Sequence, residues 1–523
     1  MRRTRYWINF DPAGMTEQYP VVILIVPLFG ALLAILLGRG RQTACWWTAL
    51  IALGISALFA VGNICAVLAS GEGELRYRMG GWHESSGYEV GIELRVDMLA
   101  ALVVAAVTLV GFVNTIFAKT RVTGEMREKV SFYYALNQLL IVGLCGIVMT
   151  NDTFNLYVLI EITALTSYAL IAMGNRRAAL SSFNYIIMGT IGASFYLLGV
   201  GYLYIKTGTL NIDDIRGVLQ SGNLWGHASI TIAFILIMLG VWTKMAFFPL
   251  HGWLPNAYCY APSAVSSFMA PLMTKVMVYV MLRVMFWLFG SEYVYSSEYV
   301  WGELIIWMSI IAIVAGSFLA LARTDIKKML TYLIVAEVGY MVGGAWLVNG
   351  AGLAGSMYHI LSDAAMTFCL FLASSIVILR TGEHRLTAFN GLFRRMPLTM
   401  IGFTVGALSM IGLPPTCGFF SKWYLISGGI EVGHWGYVAA LLFSSLVNAV
   451  IFFRIFERAY FGDLKGVAAE QFPDDRDSAP PLTLGRVPCS MLIPLFLAAA
   501  TVLLVGIYNN TLVSWIKAAM PPL

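Results

Sequence analysis

The chain has 523 residues, of which 59% are hydrophobic and only 12% are charged. Soluble domains carry about 25% charged residues, so this composition excludes a string of water-soluble domains and points to a protein that crosses the bilayer many times. The formal net charge of +5 is then a topology signal in the connecting loops rather than a nucleic-acid surface.

A helical crossing of the hydrocarbon core needs about 20 mostly apolar residues. Fourteen such runs follow one another along the chain. The first seven are Tyr19–Leu37, Trp46–Ala69, Val96–Ala118, Ser131–Met149, Thr153–Met173, Ser182–Ile205 and Ile230–Leu250. The second seven are Ala264–Trp287, Val300–Leu321, Met329–Leu347, Leu353–Leu379, Leu398–Ile426, Gly436–Tyr460 and Met491–Ile516. The fold class expected is therefore an all-α polytopic membrane protein of about fourteen spans.

Lysine and arginine concentrate in alternate loops. Those after spans 1, 3, 5, 9, 11 and 13 hold Arg39/Arg41, Lys119/Arg121/Arg127/Lys129, Arg176/Arg177, Arg323/Lys327/Lys328, Arg380/Arg385/Arg394/Arg395 and Lys465/Arg476/Arg486. The positive-inside rule places these loops in the cytoplasm and both termini outside the cell membrane. The basic start, Arg2, Arg3 and Arg5, opposes this, and six loops outweigh one tail. The stretch Gly71–Arg95 alternates apolar and polar residues around Gly80-Gly81 and reads as an external hairpin. The connector 462–486, with Asp474, Asp475, Asp477 and Pro480-Pro481, reads as a flexible cytoplasmic loop. The run Arg323–Lys328 reads as a loop whose charges serve topology and helix capping, and Asp152 as the cap of span 5.

Two spans are interrupted in a matching way. Span 7 contains Lys244, then Pro249 and Gly252; span 12 contains Gly412, Pro414, Pro415 and Gly418, then Lys422. Proline frees helix carbonyls that need a protein or water partner inside the membrane. Breaks at corresponding places in two halves suggest an inverted repeat of spans 4–8 and 9–13. The organisation expected is spans 1–3 with the hairpin loop 71–95 (residues 1–130), two half-channel repeats (131–290 and 300–460), and a connector with span 14 (461–523).

Ionisable side chains at membrane depth are costly and default to ion or proton paths. Glu161, Lys244, Lys275 and Lys422 are the principal candidates, with His251, Glu337, His359 and Asp363 as further relay members. Burial disfavours the charged form of either partner, and a nearby opposite charge restores it. A Glu–Lys pair can therefore hold a proton in one arrangement and release it in another. Ser263, Ser266, Ser267 and Thr274 supply hydroxyls around Lys275. His359 stands one turn before Asp363, on the same helix face. Each has a plainer alternative: a static ion pair for Glu161, snorkelling for Lys275 and Lys422, and packing for the rest. The seven cysteines form no Cys-x-x-Cys pair, so no iron–sulfur, zinc or other cofactor is expected.

Several segments together resemble one family. They are NDTFNLYVLIEITALTSYALIA, KMAFFPLHGWLPNAYCYAPSAVSSFMAPLMTKVMVYVMLR, TDIKKMLTYLIVAEVGYM and GLPPTCGFFSKW. The chain resembles the antiporter-like proton-translocating subunits shared by respiratory complex I and the multisubunit Mrp-type Na⁺/H⁺ antiporters, and looks most like the D-type member of the latter. The resemblance covers nearly the whole chain. It implies that Glu161 and Lys244 interact, that Lys275 links the halves, that Lys422 faces the exit, and that other membrane subunits are partners. It also implies a His and a Lys in span 11 where this chain has Asp363 and Thr367, an uncharged residue at Glu337, and a His at Tyr258. The function expected is proton translocation within a Mrp-type cation/proton antiporter, with Na⁺ or K⁺ handled by partner subunits. A redox-driven NADH dehydrogenase-like or hydrogenase complex, or a proton-inactive scaffold, is the alternative.

Overall fold

The structure is a computed structural model that describes residues 16–38, 42–71, 73–79, 91–126, 129–174, 176–296, 301–462 and 487–520. The expectations for Arg2–Arg5, Arg39/Arg41, Arg127, the Gly80-Gly81 turn and the connector from Lys465 to Arg486 lie outside the described residues. Within them, twelve helices are long and apolar enough to cross a membrane, and the shorter apolar helices Ala228–Lys244 and Pro397–Ile411 complete the fourteen positions read from the sequence. The chain is an all-α polytopic membrane protein.

The N-terminal part holds α1 (Tyr19–Leu37), α2 (Gln42–Ala69), strands β1 (Glu74–Arg78) and β2 (Glu93–Asp97), and α3 (Met98–Glu125). The strands pair antiparallel, with Glu74 opposite Asp97 and Tyr77 opposite Leu94. Next come α4 (Val130–Met149), α5 (Thr153–Ala172), α6 (Arg176–Thr207), the short α7 (Ile212–Ser221), α8 (Ala228–Lys244), α9 (Leu254–Tyr260) and α10 (Ser263–Arg283). The second half consists of α11 (Trp301–Leu321), α12 (Ile326–Trp346), α13 (Gly350–Thr381), α14 (Pro397–Ile411), α15 (Cys417–Val432) and α16 (Trp435–Phe461). The chain continues with α17 (Cys489–Ile507) and α18 (Asn509–Ala518).

Side-chain caps set several of these boundaries. Asp152 accepts from the Asn155 amide at 2.6 Å, Asp325 from Lys328 at 3.0 Å, and Asn349 from Gly352 at 2.9 Å. Each satisfies one of the amides that a helix start leaves without an intrahelical partner.

Helices α10 and α13 are enclosed by neighbours along their spanning windows and pack on one another. In α1, α2 and α6 large apolar side chains such as Leu36, Leu58 and Leu198 stay exposed, as a lipid-facing surface requires. Glycines let α6 and α8 touch backbone to backbone: a Cβ on Gly240 would come within 2.6 Å of the Gly192 carbonyl.

The two interruptions expected from the sequence are present, and two other readings are corrected. Span 7 breaks before Leu250: α8 stops at Lys244, Ala246 takes φ +58°, and the Thr243 carbonyl accepts the Trp253 indole N–H at 3.0 Å. Span 12 likewise divides at Gly412, whose φ of +95° suits glycine. Span 14 ends at Ile507, and Asn509 begins a separate amphipathic helix. Ile326–Lys328 is the first turn of α12 rather than loop, and Lys327 is buried.

Candidate functional site

Apart from His251, the ionisable residues singled out from the sequence fall into three groups along the interior, all buried except Glu161, which is 26% exposed. At the first, Lys244 is the last residue of α8 and its ammonium lies 3.2 Å from Glu161 Oε1 on α5. The end of a helix carries partial negative charge, which steadies the ammonium there. Gly189 on α6 packs beside this pair: a Cβ at that position would run into the Tyr168 hydroxyl and stand 3.4 Å from Lys244 Nζ. A void of about 10 Å³, close to the size of one water, touches Lys244, Thr163 and Tyr185 on one side and Met273 and Met277 of α10 on the other.

Lys275 forms the second group. Its Nζ is 2.8 Å from Asp363 Oδ2 on α13, and both side chains are inaccessible to solvent, at 1% and 0%. Nζ also donates to the Ala270 carbonyl at 3.2 Å, and Asp363 Oδ1 accepts from the Thr367 hydroxyl at 2.6 Å. Desolvating two charges is costly, and the pair persists because each neutralises the other and both make further hydrogen bonds. The serine hydroxyls expected around Lys275 serve elsewhere. Ser266 and Ser267 bond back to the Ser263 carbonyl, and Ser267 also meets Ser375 at 3.1 Å.

The third group joins α12, α13 and α15. His359 places Nε2 2.6 Å from Glu337 Oε2 and Nδ1 2.8 Å from the Ser421 hydroxyl. All three side chains are buried. Lys422, next in the chain, donates to the Met410 carbonyl at 2.7 Å and to the Ser445 hydroxyl at 3.3 Å. That carbonyl is freed by the break after α14, so the second interrupted helix also presents its negative end to a lysine. Tyr340 stands between His359 and Lys422: its ring is 5.6 Å from the imidazole and 5.3 Å from the ammonium. Its hydroxyl continues to Ser444, which meets Ser317 at 2.7 Å.

His251 is the candidate left outside these groups. It is partly buried, stacks on Phe248 at 5.1 Å, and makes no ion pair among the described residues. Two relationships escape a reading of the sequence. Asp363 reads as a further relay member standing where the family has a histidine, and its pairing with Lys275 as a counter-ion is not read from the sequence. Tyr340 is not singled out at all. The signal for the first is a carboxylate at membrane depth, which calls for a cation; a buried tyrosine gives no comparable signal.

A bundle with two interrupted helices and acid–base pairs along its interior is, by class, that of an antiporter-like membrane subunit. The matched family profile, described as NADH:quinone oxidoreductase/Mrp antiporter, TM, spans residues 150–448. The chain belongs to this family. It is 39% identical over 97% of its length, and 99% of the relative's, to NADH-quinone oxidoreductase subunit N of Desulforudis audaxviator (strain MP104C). It is 30% identical over 86% of its length, and 88% of the relative's, to the D-type subunit of a Na(+)/H(+) antiporter of Bacillus subtilis (strain 168). Among solved structures, a chain of the membrane-bound sulfane sulfur reductase, an archaeal respiratory membrane complex, superposes with a TM-score of 0.83 at 28% identity, covering 96% of this chain and 97% of that one.

Proposed function

We propose that this chain conducts protons as one antiporter-like subunit of a multisubunit complex in the cell membrane. The observation that carries the reading is the Lys275–Asp363 pair, enclosed at the contact of the two five-span halves. Around it, Glu161–Lys244 serves one half and Glu337–His359 with Lys422 the other. A buried ammonium keeps its proton while a carboxylate neutralises it and gives it up when the carboxylate turns away or is protonated. Opening one pair therefore drives a proton toward the next, and Tyr340 and Ser444 offer hydroxyls beside Lys422 for the outward step. The two halves act as inverted half-channels, with the basic loops cytoplasmic and both termini outside.

The setting we favour is a redox-driven complex, because identity is higher to the NADH-quinone oxidoreductase relative than to the antiporter relative, 39% against 30%. The motif resemblance to the D-type Mrp chain supports the second reading, a monovalent cation/proton antiporter. In both, other membrane subunits are partners and this chain's path is a proton path, since a protonated lysine cannot ligate Na⁺ or K⁺.

The test is proton uptake by proteoliposomes holding the native complex, with Lys244→Ala. Loss of proton-coupled transport in an assembled complex supports conduction, and unchanged transport refutes it. Identifying the co-purifying chains separates the settings: iron–sulfur or other redox subunits mean the redox pump, and small hydrophobic subunits alone mean the antiporter.

A further inference from the structure

A cavity of about 990 Å³ opens where the end of α3, the turn after α5, α9 and the starts of α10 and α12 meet, away from the ion pairs above. Its volume is at the upper end of ordinary small-molecule sites. Arg121, Arg177, Lys327 and Lys328 line it, opposed by two carboxylates, Glu125 and Asp325. The carboxylates are engaged: Glu125 pairs with Arg121 at 2.8 Å and accepts the Ser263 amide at 3.2 Å, while Asp325 caps α12.

Two of the cations are buried and only partly satisfied. Arg121, 3% exposed, donates to the Ser263 hydroxyl, yet its Nε has no hydrogen-bond partner. Lys327, 1% exposed, reaches the Ala261 carbonyl at 3.3 Å and the Ser263 hydroxyl at 3.5 Å, with no carboxylate in ion-pair contact among the described residues. At the rim, Arg177 and Lys328 stand over the Tyr260 ring, 5.9 and 5.1 Å from its centre. His384 adds no charge near neutral pH, because burial and then the adjacent Lys327 hold its imidazole below the ordinary value of 6.5.

An excess of fixed positive charge in a low-dielectric recess repels cations and retains anions. A guanidinium, ammonium groups and a serine hydroxyl converging on one recess are the donor set that suits a tetrahedral oxyanion. We propose that this cavity is a binding site for a phosphate-bearing anion, either the headgroup of an anionic membrane lipid or free phosphate. The site lies beyond the proton path and assigns a role to Lys327, which that path does not use. It opens among residues of the basic loops, the face that meets anionic headgroups when those loops are cytoplasmic.

The experiment uses the intact purified complex in nanodiscs of phosphatidylcholine, with phosphatidylglycerol or inorganic phosphate as the probe. Binding of each is measured for the wild type, Lys327→Gln and the rim variant Lys328→Gln, which keeps the proposal testable if the buried substitution prevents assembly. Retention of phosphatidylglycerol that falls by about tenfold in a variant, roughly the value of one charge-assisted contact, identifies a lipid site. Saturable binding of inorganic phosphate in phosphatidylcholine alone, weakened in the same variant, identifies a free-anion site. Binding of neither probe, or binding that both variants leave unchanged, overturns the proposal.

Discussion

The ammonium of Lys275 lies 2.8 Å from the carboxylate of Asp363, across the contact between α10 and α13, and neither side chain reaches solvent. Removing one partner strands the other charge in a medium that cannot solvate it, at a cost of about 3–5 kcal/mol. Asp363→Asn is expected to lower the complex's thermal stability and to abolish proton uptake, read by differential scanning fluorimetry and a pH-sensitive dye in proteoliposomes.

The third group predicts a graded effect. His359 bridges Glu337 and Ser421, so His359→Gln keeps a polar side chain of similar reach while removing a titrating ring. Positioned proton-transfer groups contribute about 10²–10⁴ in rate. Proton uptake is expected to fall by at least about tenfold, with assembly, judged by native gel, unchanged.

Gly189 should tolerate no side chain. Its Cβ would collide with the Tyr168 hydroxyl, while only touching the Lys244 ammonium, so Gly189→Ala should destabilise by about 1–3 kcal/mol. It should also reduce proton uptake by shifting Tyr168 beside the Glu161–Lys244 pair. An alanine variant with wild-type melting and uptake would contradict the placement of α6 against this pair.

The two-stranded hairpin carries a pH dependence of its own. Glu74 pairs with Arg76 and Arg95, each at 2.7 Å, and although burial opposes it, these arginines hold its carboxyl below the ordinary value of 4.5. With the folded value depressed, Glu74's contribution is full above the unfolded value and is lost as pH falls through the folded one. Protection factors of the β1 and β2 amides, which remove the intrinsic pH dependence of exchange, should therefore be high at neutral pH and fall in acid below that ordinary value. Glu74→Gln should make the strands exchange faster at neutral pH and flatten the acid dependence.

Much of the architecture is legible in the sequence, because a bilayer forces the apolar runs to span it and forces charges within them to find partners. The positions of fourteen spans, the Glu161–Lys244 contact and the two interrupted helices follow from such runs, their prolines and the family motifs. What escapes depends on three-dimensional register. Asp363 and Lys275 stand 88 positions apart (363 − 275), and nothing local says that α10 and α13 bring them together. Lys327 reads as a loop charge because hydropathy places span 10 from Met329, while the Asp325 cap starts the helix earlier and turns Lys327 inward.

The most direct test replaces the central pair by apolar residues of similar volume, Lys275→Met with Asp363→Leu, in the intact complex. A packed apolar replacement of a buried ion pair is close to neutral for stability, so the double variant is expected to assemble and melt as the wild type does. Proton uptake in proteoliposomes should then fall to the level of protein-free vesicles. Proton uptake at the wild-type rate in that assembled complex would contradict the claim that protons pass through Lys275 and Asp363.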